Sequence, residues 1–224
     1  MDSQDFLYRI ASFRHVVDLF ENRQLHFTMP QAWDDPFEQI VEYSKGECVF
    51  AQCWTKRESS DAMWRIYSAD RMSLSMRTTR AKLKHALDVA KAQVPMDFLV
   101  EDVEYLSKRD PVTEASRRVH EAERSGTVSL GVMRALLLKR AAFDHEEEVR
   151  AVVHVDSNGQ YGRLGPSFRL PVDPHALIDE LVFDPRADSI FMSVVSHYLR
   201  SRLCFEGKIG RSDLYEQSPE FVVV

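Results

Sequence analysis

The sequence predicts an α+β fold, a mixed or split antiparallel sheet with flanking helices and a helical insertion at about residues 80–140. Three observations carry this. Short runs that alternate, or are continuously apolar, recur between turn signals and read as strands. Amphipathic helical patterns lie among them. A long, charged, helix-forming stretch separates the early strand candidates from the next one near residue 146. With 224 residues, 44% hydrophobic and 29% charged, the chain can bury a substantial core as a single domain over residues 1–224.

Phe6-Leu7-Tyr8-Arg9-Ile10 reads as a strand, followed from about Ser12 by a helix with Val16, Val17, Leu19 and Phe20 on its apolar face. Leu25-His26-Phe27-Thr28 is a second strand, ended by Pro30. In Trp33-Asp34-Asp35-Pro36-Phe37-Glu38 the Asp-Pro pair favours a turn, which the aromatics can pin to the core. Val49 to Trp54 reads as a mostly buried strand, and a short helix with Met63, Trp64 and Tyr67 follows, capped by Ser60 or Asp61. Met72-Ser73-Leu74-Ser75-Met76 alternates, with the apolar side chains on one face. From about Thr79 to Lys139 the pattern is helical, broken near Pro95 and hinged at Asp110-Pro111. A strand then runs from roughly Glu146 to Val155 into the hairpin-like Asp156-Ser157-Asn158-Gly159. Leu181-Val182-Phe183 is a further strand, and a helix from about Ala187 to Leu203 turns Ile190, Val194, Val195 and Leu199 inward.

The 35 acidic and 29 basic side chains give a formal charge of −6, so no global field draws the protein onto nucleic acid or an anionic membrane. Cys48, Cys53 and Cys204 are an odd number without a compact pairing pattern. The start of the chain lacks the basic and apolar regions of a signal peptide, so a reducing, cytoplasmic setting is expected. Apolar runs such as Phe221 to Val224 fall far short of the roughly 20 residues that span a bilayer, and no membrane role is expected.

The acidic strand is the richest site candidate. If residues 146 to 155 are extended, Glu146, Glu148, Arg150 and His154 share one face, and Val149, Ala151, Val153 and Val155 form the core side. Two carboxylates then lie about 6 to 7 Å apart with an arginine one step further on. Such a pair can stabilise a developing cation, because like charges raise one pKa while the arginine holds the other group ionised. The same spacing fits a solvated edge on which Glu148 and Arg150 balance each other.

Other constellations read two ways. Tyr8-Arg9 can clamp a phosphate and stack a base, or be a core tyrosine beside a surface arginine. Trp64 and Tyr67, three residues apart, form either a stacking platform or part of the core. Asp34, Asp35 and Glu38 offer oxygens to a divalent cation, but Pro36 and the flanking aromatics favour a structural turn, and no metal site is expected. The histidines lack paired ligand spacing, and no phosphate-binding glycine loop is present.

Taken in order, Tyr8-Arg9, Leu25-His26-Phe27 with Pro30, Asp34-Asp35-Pro36-Phe37-Glu38, Cys53-Trp54-Thr55, Met63-Trp64-Arg65-Ile66-Tyr67, and Phe143 with Glu146-x-Glu148-x-Arg150 resemble a widespread bacterial domain family of unknown function. Its members show an Asn-Asp-Pro-Phe turn, a Met-Trp-x-x-Tyr helix and a Glu-x-Glu-x-Arg strand in this order. The chain departs from it at Asp34, where asparagine is usual, and at Arg71-Met72-Ser73-Leu74, where a glycine-containing strand is expected. More loosely, the layout is similar to ADP-ribosyltransferases, including toxin and phage-defence members. That resemblance implies an enzyme taking NAD as substrate and a macromolecular acceptor, with an antitoxin or other partner protein. It assigns Arg9 to the pyrophosphate and Tyr67 or Tyr8, with Trp64, to stacking. Ser73 or Ser75 would support the geometry, Glu148 would be the catalytic carboxylate, and Glu146 would assist acceptor attack. The rivals are a metal-dependent nuclease using Asp35, Glu146 and Glu148, and a regulatory module docking a partner through residues 80–140.

Overall fold

The computed structural model describes residues 5–33, 35–39, 47–107, 110–156 and 165–216, without the side chains of residues 47, 48 and 156. Asp34, the Cys48 thiol, the turn at 157–159 and the run at 221–224 lie outside the described residues.

The strands are β1 (Phe6–Ser12), β2 (Gln24–Thr28), β3 (Glu47–Thr55), β4 (Ser73–Thr79), β5 (Met96–Asp102), β6 (Glu104–Leu106), β7 (Leu138–Arg140), β8 (Glu148–Asp156), β9 (Ser167–Pro171), β10 (Glu180–Phe183) and β11 (Lys208–Arg211). The helices are α1 (Phe13–Asn22), α2 (Asp61–Tyr67), α3 (Arg80–Lys91), α4 (Pro111–Ser125), α5 (Val128–Ala135), α6 (Pro174–Leu177) and α7 (Ser189–Ser201). Nine strands form one mixed sheet, antiparallel except for β10 and β11, and β6 and β7 pair in parallel beside it. The α+β class with flanking helices is therefore the architecture observed.

The sheet is split. β1 is zipped to β4 from Phe6 to Ser12 but meets β3 at one register position, Tyr8 opposite Thr55. β3 is paired along its whole length with β8, and touches β2 at Thr28 opposite Ala51. The β11-β10-β4-β1 half and the half built on β3 and β8 thus diverge from Tyr8, leaving strand edges that face a cleft.

Local chemistry sets the element ends. Ser12 caps α1 by accepting from the His15 amide, Ser60 caps α2 through Met63, and Thr79 caps α3 through Lys82. One face of the sheet buries Leu7, Phe50, Trp54, Leu74, Val149 and Val153 against α1, α3 and α7. The opposite face of β3, β5 and β8 buries Val49, Leu99 and Val152 against Val132, Met133 and Leu136. Both faces of β8 are therefore covered.

Two expectations change. The 80–140 stretch is not wholly helical: after Pro95, Met96 to Asp102 extend β8's edge as β5, and the α4–α5 hairpin follows. The compact apolar run Phe98-Leu99-Val100 gains more from sheet pairing and burial than from its weak helical period. On α7, Val195 and Leu199 face inward, but Ile190 is 76% and Val194 63% exposed. The inward stripe uses Phe191, Val195 and Leu199, so 190 and 194 fall on the adjacent row.

Candidate active site at the split in the sheet

The cleft between β1 and β3 opens into a cavity of about 480 Å³, continuous with solvent. Tyr8 and Arg9 line it from β1, Cys53 and Thr55 from β3, Met63 and Tyr67 from α2, and Glu146 and Glu148 from the entry to β8. Register explains the convergence: Tyr8 lies opposite Thr55, and Thr55 opposite Glu148, so one row crosses three strands. Cys53, one pleat along, lies opposite Arg150.

Glu148 begins β8 and is buried, as is Arg150, so the solvated-edge reading is excluded. Arg150 grips the Glu148 carboxylate through Nε at 2.7 Å and Nη2 at 3.0 Å, donates to the Leu136 carbonyl, and pairs with Glu38. Its guanidinium lies 4.6 Å from the Trp33 ring centre. The Glu148 amide donates to the Tyr105 hydroxyl at 2.8 Å, and its carbonyl accepts from Val103 at 2.9 Å. Burial alone would push the Glu148 carboxyl up. Arg150, then Lys139, outweigh it and hold the group at about 2.

Glu146 is not on the strand. It ends a 3₁₀ turn over Ala141–Glu146, and Glu147, at φ +44°, takes the left-handed conformation that leads into β8. Strict alternation therefore does not align Glu146 with Glu148. Lys139 brings them together instead: its buried Nζ donates to Glu146 Oε2 at 2.6 Å and Glu148 Oε2 at 3.0 Å. Burial works against the ammonium, but Glu148, Glu38 and Glu146 raise its pKa. Thr55 Oγ1 anchors the Glu146 carbonyl at 2.6 Å. Glu147 turns outward and pairs with Arg57.

Arg9 sits in the split, where Nη1 donates to the Cys53 carbonyl. Arg9 is half-buried; its burial lowers its pKa, against the raising effect of Cys53, Tyr67 and Glu148. Tyr67 is 48% exposed on the cavity wall; burial and then Glu146 push its phenol to about 12, so it stays a neutral donor at physiological pH. Burial, then Glu148, push the Cys53 thiol up, which makes it an inert wall.

Three candidates fall away from this cavity. Trp64 is 2% exposed and belongs to the core, because Met63 and Tyr67, one turn apart, are the pair that α2 presents to the cavity. Ser75 is buried on β4 opposite Ile10, one strand beyond the cleft; Ser73, which donates to the Tyr67 carbonyl, also lies outside the cavity lining. Lys139 is the participant that the sequence alone did not connect to this site; Glu38 was weighed beside Glu148 and Arg150 only as a metal oxygen, and here it pairs with Arg150 instead. Lys139 was visible only as the end of a basic helix, and its pairing depends on β7 running beside the 3₁₀ turn.

The metal candidates are engaged. Asp35 pairs with Arg140 at 3.0 Å and its side chain caps the turn by accepting from the Phe37 amide at 3.0 Å, while Glu38 pairs with Arg150. Among the described residues no group of three His, Cys, Asp or Glu side chains is arranged to hold a metal ion, and no helix is long and apolar enough to cross a membrane.

No family model and no curated protein matches the chain. Among solved structures the chain is similar in outline to Thermus sp. 2.9 DarT in complex with carba-NAD+, at 12% identity, covering 95% of this chain and 97% of that one, with a TM-score of 0.42.

Proposed function

We propose that the protein is an ADP-ribosyltransferase-like enzyme that cleaves NAD and passes ADP-ribose to a macromolecular acceptor. The observation that carries the reading is the single cavity at the split, which gathers Tyr8 and Arg9 from one end of the chain with Tyr67, Glu146 and Glu148 from elsewhere.

Cleavage breaks the bond between nicotinamide nitrogen and ribose C1′. The electron pair leaves with neutral nicotinamide, and the sugar becomes oxocarbenium-like. A fixed carboxylate at that carbon stabilises the developing charge without reorganising. Glu148 fits this role because Arg150 and Lys139 lock its position and keep it ionised. The three carboxylates of Glu38, Glu146 and Glu148 against the two cations of Lys139 and Arg150 leave one formal negative charge beside the sugar. Arg9 neutralises a phosphate, and the exposed ring of Tyr67 covers the nicotinamide. Glu146, paired with Lys139, takes the proton of the acceptor nucleophile as the new bond to C1′ forms. The nuclease reading fares worse, since the Lys139 ammonium fills the point between Glu146 and Glu148 that a divalent cation would need.

Incubation with nicotinamide-labelled NAD, with and without a chelator, tests the proposal. Nicotinamide release is expected to be metal-independent and to fall by about a hundredfold or more in Glu148→Gln, the scale at which one fixed electrostatic group acts. Metal-dependent cleavage of nucleic acid without NAD turnover would sink it. Labelling the adenylate separates transfer to an acceptor from hydrolysis.

A further inference from the structure

Two more cavities open on the far side of Arg9. The nearer, of about 450 Å³, has Arg9, His15, Asp18, His26 and Gln52 in its wall. The next, of about 660 Å³, has Arg14, His15, Asp18, His26 and Arg169. Arg9 is common to the carboxylate cavity and the nearer one, and His15, Asp18 and His26 are common to the two beyond it. The two outer spaces therefore adjoin as a path that runs from Arg9 along α1, and Arg9 stands between that path and the cavity of Glu148.

The far end of this path is built for a polar, anionic ligand. His26 on β2 lies directly opposite Arg169 on β9, and α1 places His15 and Asp18 one turn apart above them. Burial, then the charges of Arg169 and His15, lower the pKa of His26, with Asp18 opposing and Arg9 adding to the effect. The ring thus stands in a positive potential that an anion would relieve. Arg14 and His15 are exposed on the rim. Asp18 accepts from Asn22 at 2.6 Å and from Arg169 at 3.4 Å, with its side chain still 27% exposed. Glu21 is committed elsewhere, to Arg202 and Tyr198.

We propose that this path binds a nucleoside diphosphate, with phosphate oxygens on Arg9, His26 and Arg169 and a sugar hydroxyl donating to Asp18. Its link to the carboxylate cavity rests on the NAD reading above, since one dinucleotide would then occupy both. Asp18 becomes a specificity residue. A carboxylate accepts from a free 2′-hydroxyl but repels a phosphate there, and Arg169 can serve such a phosphate only when Asp18 releases it.

Equilibrium binding of ADP and of its 2′-phosphorylated counterpart, in place of the dinucleotides, tests this on the full chain. Wild type is expected to bind ADP at least about tenfold more tightly than the 2′-phosphorylated nucleotide, the size of one charge-assisted contact. Asp18→Asn closes that gap, and Arg169→Ala weakens both nucleotides by about tenfold. Thermal unfolding of both variants should stay close to wild type, since Arg169 is exposed and Asp18→Asn keeps an oxygen that accepts from Asn22. Calorimetry in buffers of different ionisation heat near pH 6.5 should show proton uptake on ADP binding that Arg169→Ala reduces, a signature a merely structural role would not produce. Failure of ADP to bind, or equal affinities across the three proteins, would overturn the site while leaving NAD cleavage by wild type to stand on its own assay. Loss of NAD cleavage with ADP binding and its Asp18 dependence intact would overturn the reaction and keep the site.

Discussion

Lys139 carries more of the site than either glutamate, because it compensates two buried carboxylates at once. Lys139→Met leaves Glu146 and Glu148 facing each other across a gap. Removing one partner of a buried ionic network costs about 3–5 kcal/mol, whereas Lys139→Arg should retain most of the stability. Urea unfolding of the three proteins checks this; a loss below about 1 kcal/mol for the methionine variant would show that the carboxylates are not held by Lys139. The Glu148 carboxyl makes a second, pH-dependent prediction. Its folded pKa, about 2, lies below the ordinary glutamate value of 4.5, so its contribution is present above pH 4.5 and is lost as pH falls to about 2. The stability gap between wild type and Glu148→Gln should therefore narrow over that interval, by on the order of 3 kcal/mol, and a gap indifferent to pH would contradict an ionised, paired carboxylate. At this scale the sequence showed Glu148, Arg150 and Arg9 through residue type and spacing. It could not show Lys139, whose partners are set by strand packing and not by any local pattern, and it weighed Glu38 beside Glu148 as a metal oxygen where the fold makes it a partner of Arg150.

At the scale of elements, legibility followed periodicity. Strands β1, β2, β3, β8 and β10 and helices α1, α2 and α7 were readable because burial on a defined face imposes a period. β9 and β11 were not read as strands: Lys208–Arg211 has one apolar side chain, Ile209, besides its glycine, and Ser167–Pro171 offers only Phe168 and Leu170 before a proline. The Glu146 error has a similar origin: one left-handed residue, Glu147, resets the alternation, and a non-glycine residue there gives no warning in the sequence. The α4–α5 hairpin yields a prediction that runs against intrinsic propensity. A Cβ at Gly131 would sit 2.2 Å from the Ala122 Cβ and 3.2 Å from the Arg118 carbonyl oxygen. Gly131→Ala should gain about 1 kcal/mol of helix propensity in isolation, yet overpacking at this crossing costs about 1–3 kcal/mol. The expected result is a net loss in chemical denaturation, and a stabilised variant would mean that the two helices can separate freely. On α7, Leu199→Ala should cost about 2–5 kcal/mol while Ile190→Ser stays within about 0.5 kcal/mol, since only the former side chain is buried.

The whole molecule is organised by the split. A sheet whose halves diverge from one register position forfeits strand pairing in its middle, and Arg9 partly replaces it by donating to the Cys53 carbonyl across the gap. A ligand that contacts both walls would complete that bridge, so binding and stability should be linked through Arg9. Saturating NAD at about a hundred times its dissociation constant should stabilise the fold by about 2.7 kcal/mol. For a chain of this length that is a rise in unfolding midpoint of roughly 5–10 °C. On the proposed NAD reading Arg9→Gln should lose most of that shift, because that reading sets Arg9 against the phosphates, while its own cost in the absence of ligand is limited to about 1–3 kcal/mol for the Cys53 carbonyl left without its donor. Differential scanning fluorimetry on both proteins, with and without NAD, reads the two effects separately. A full shift in Arg9→Gln would place the phosphates elsewhere, and a wild type that releases nicotinamide without any shift would mean that the ligand touches one wall only.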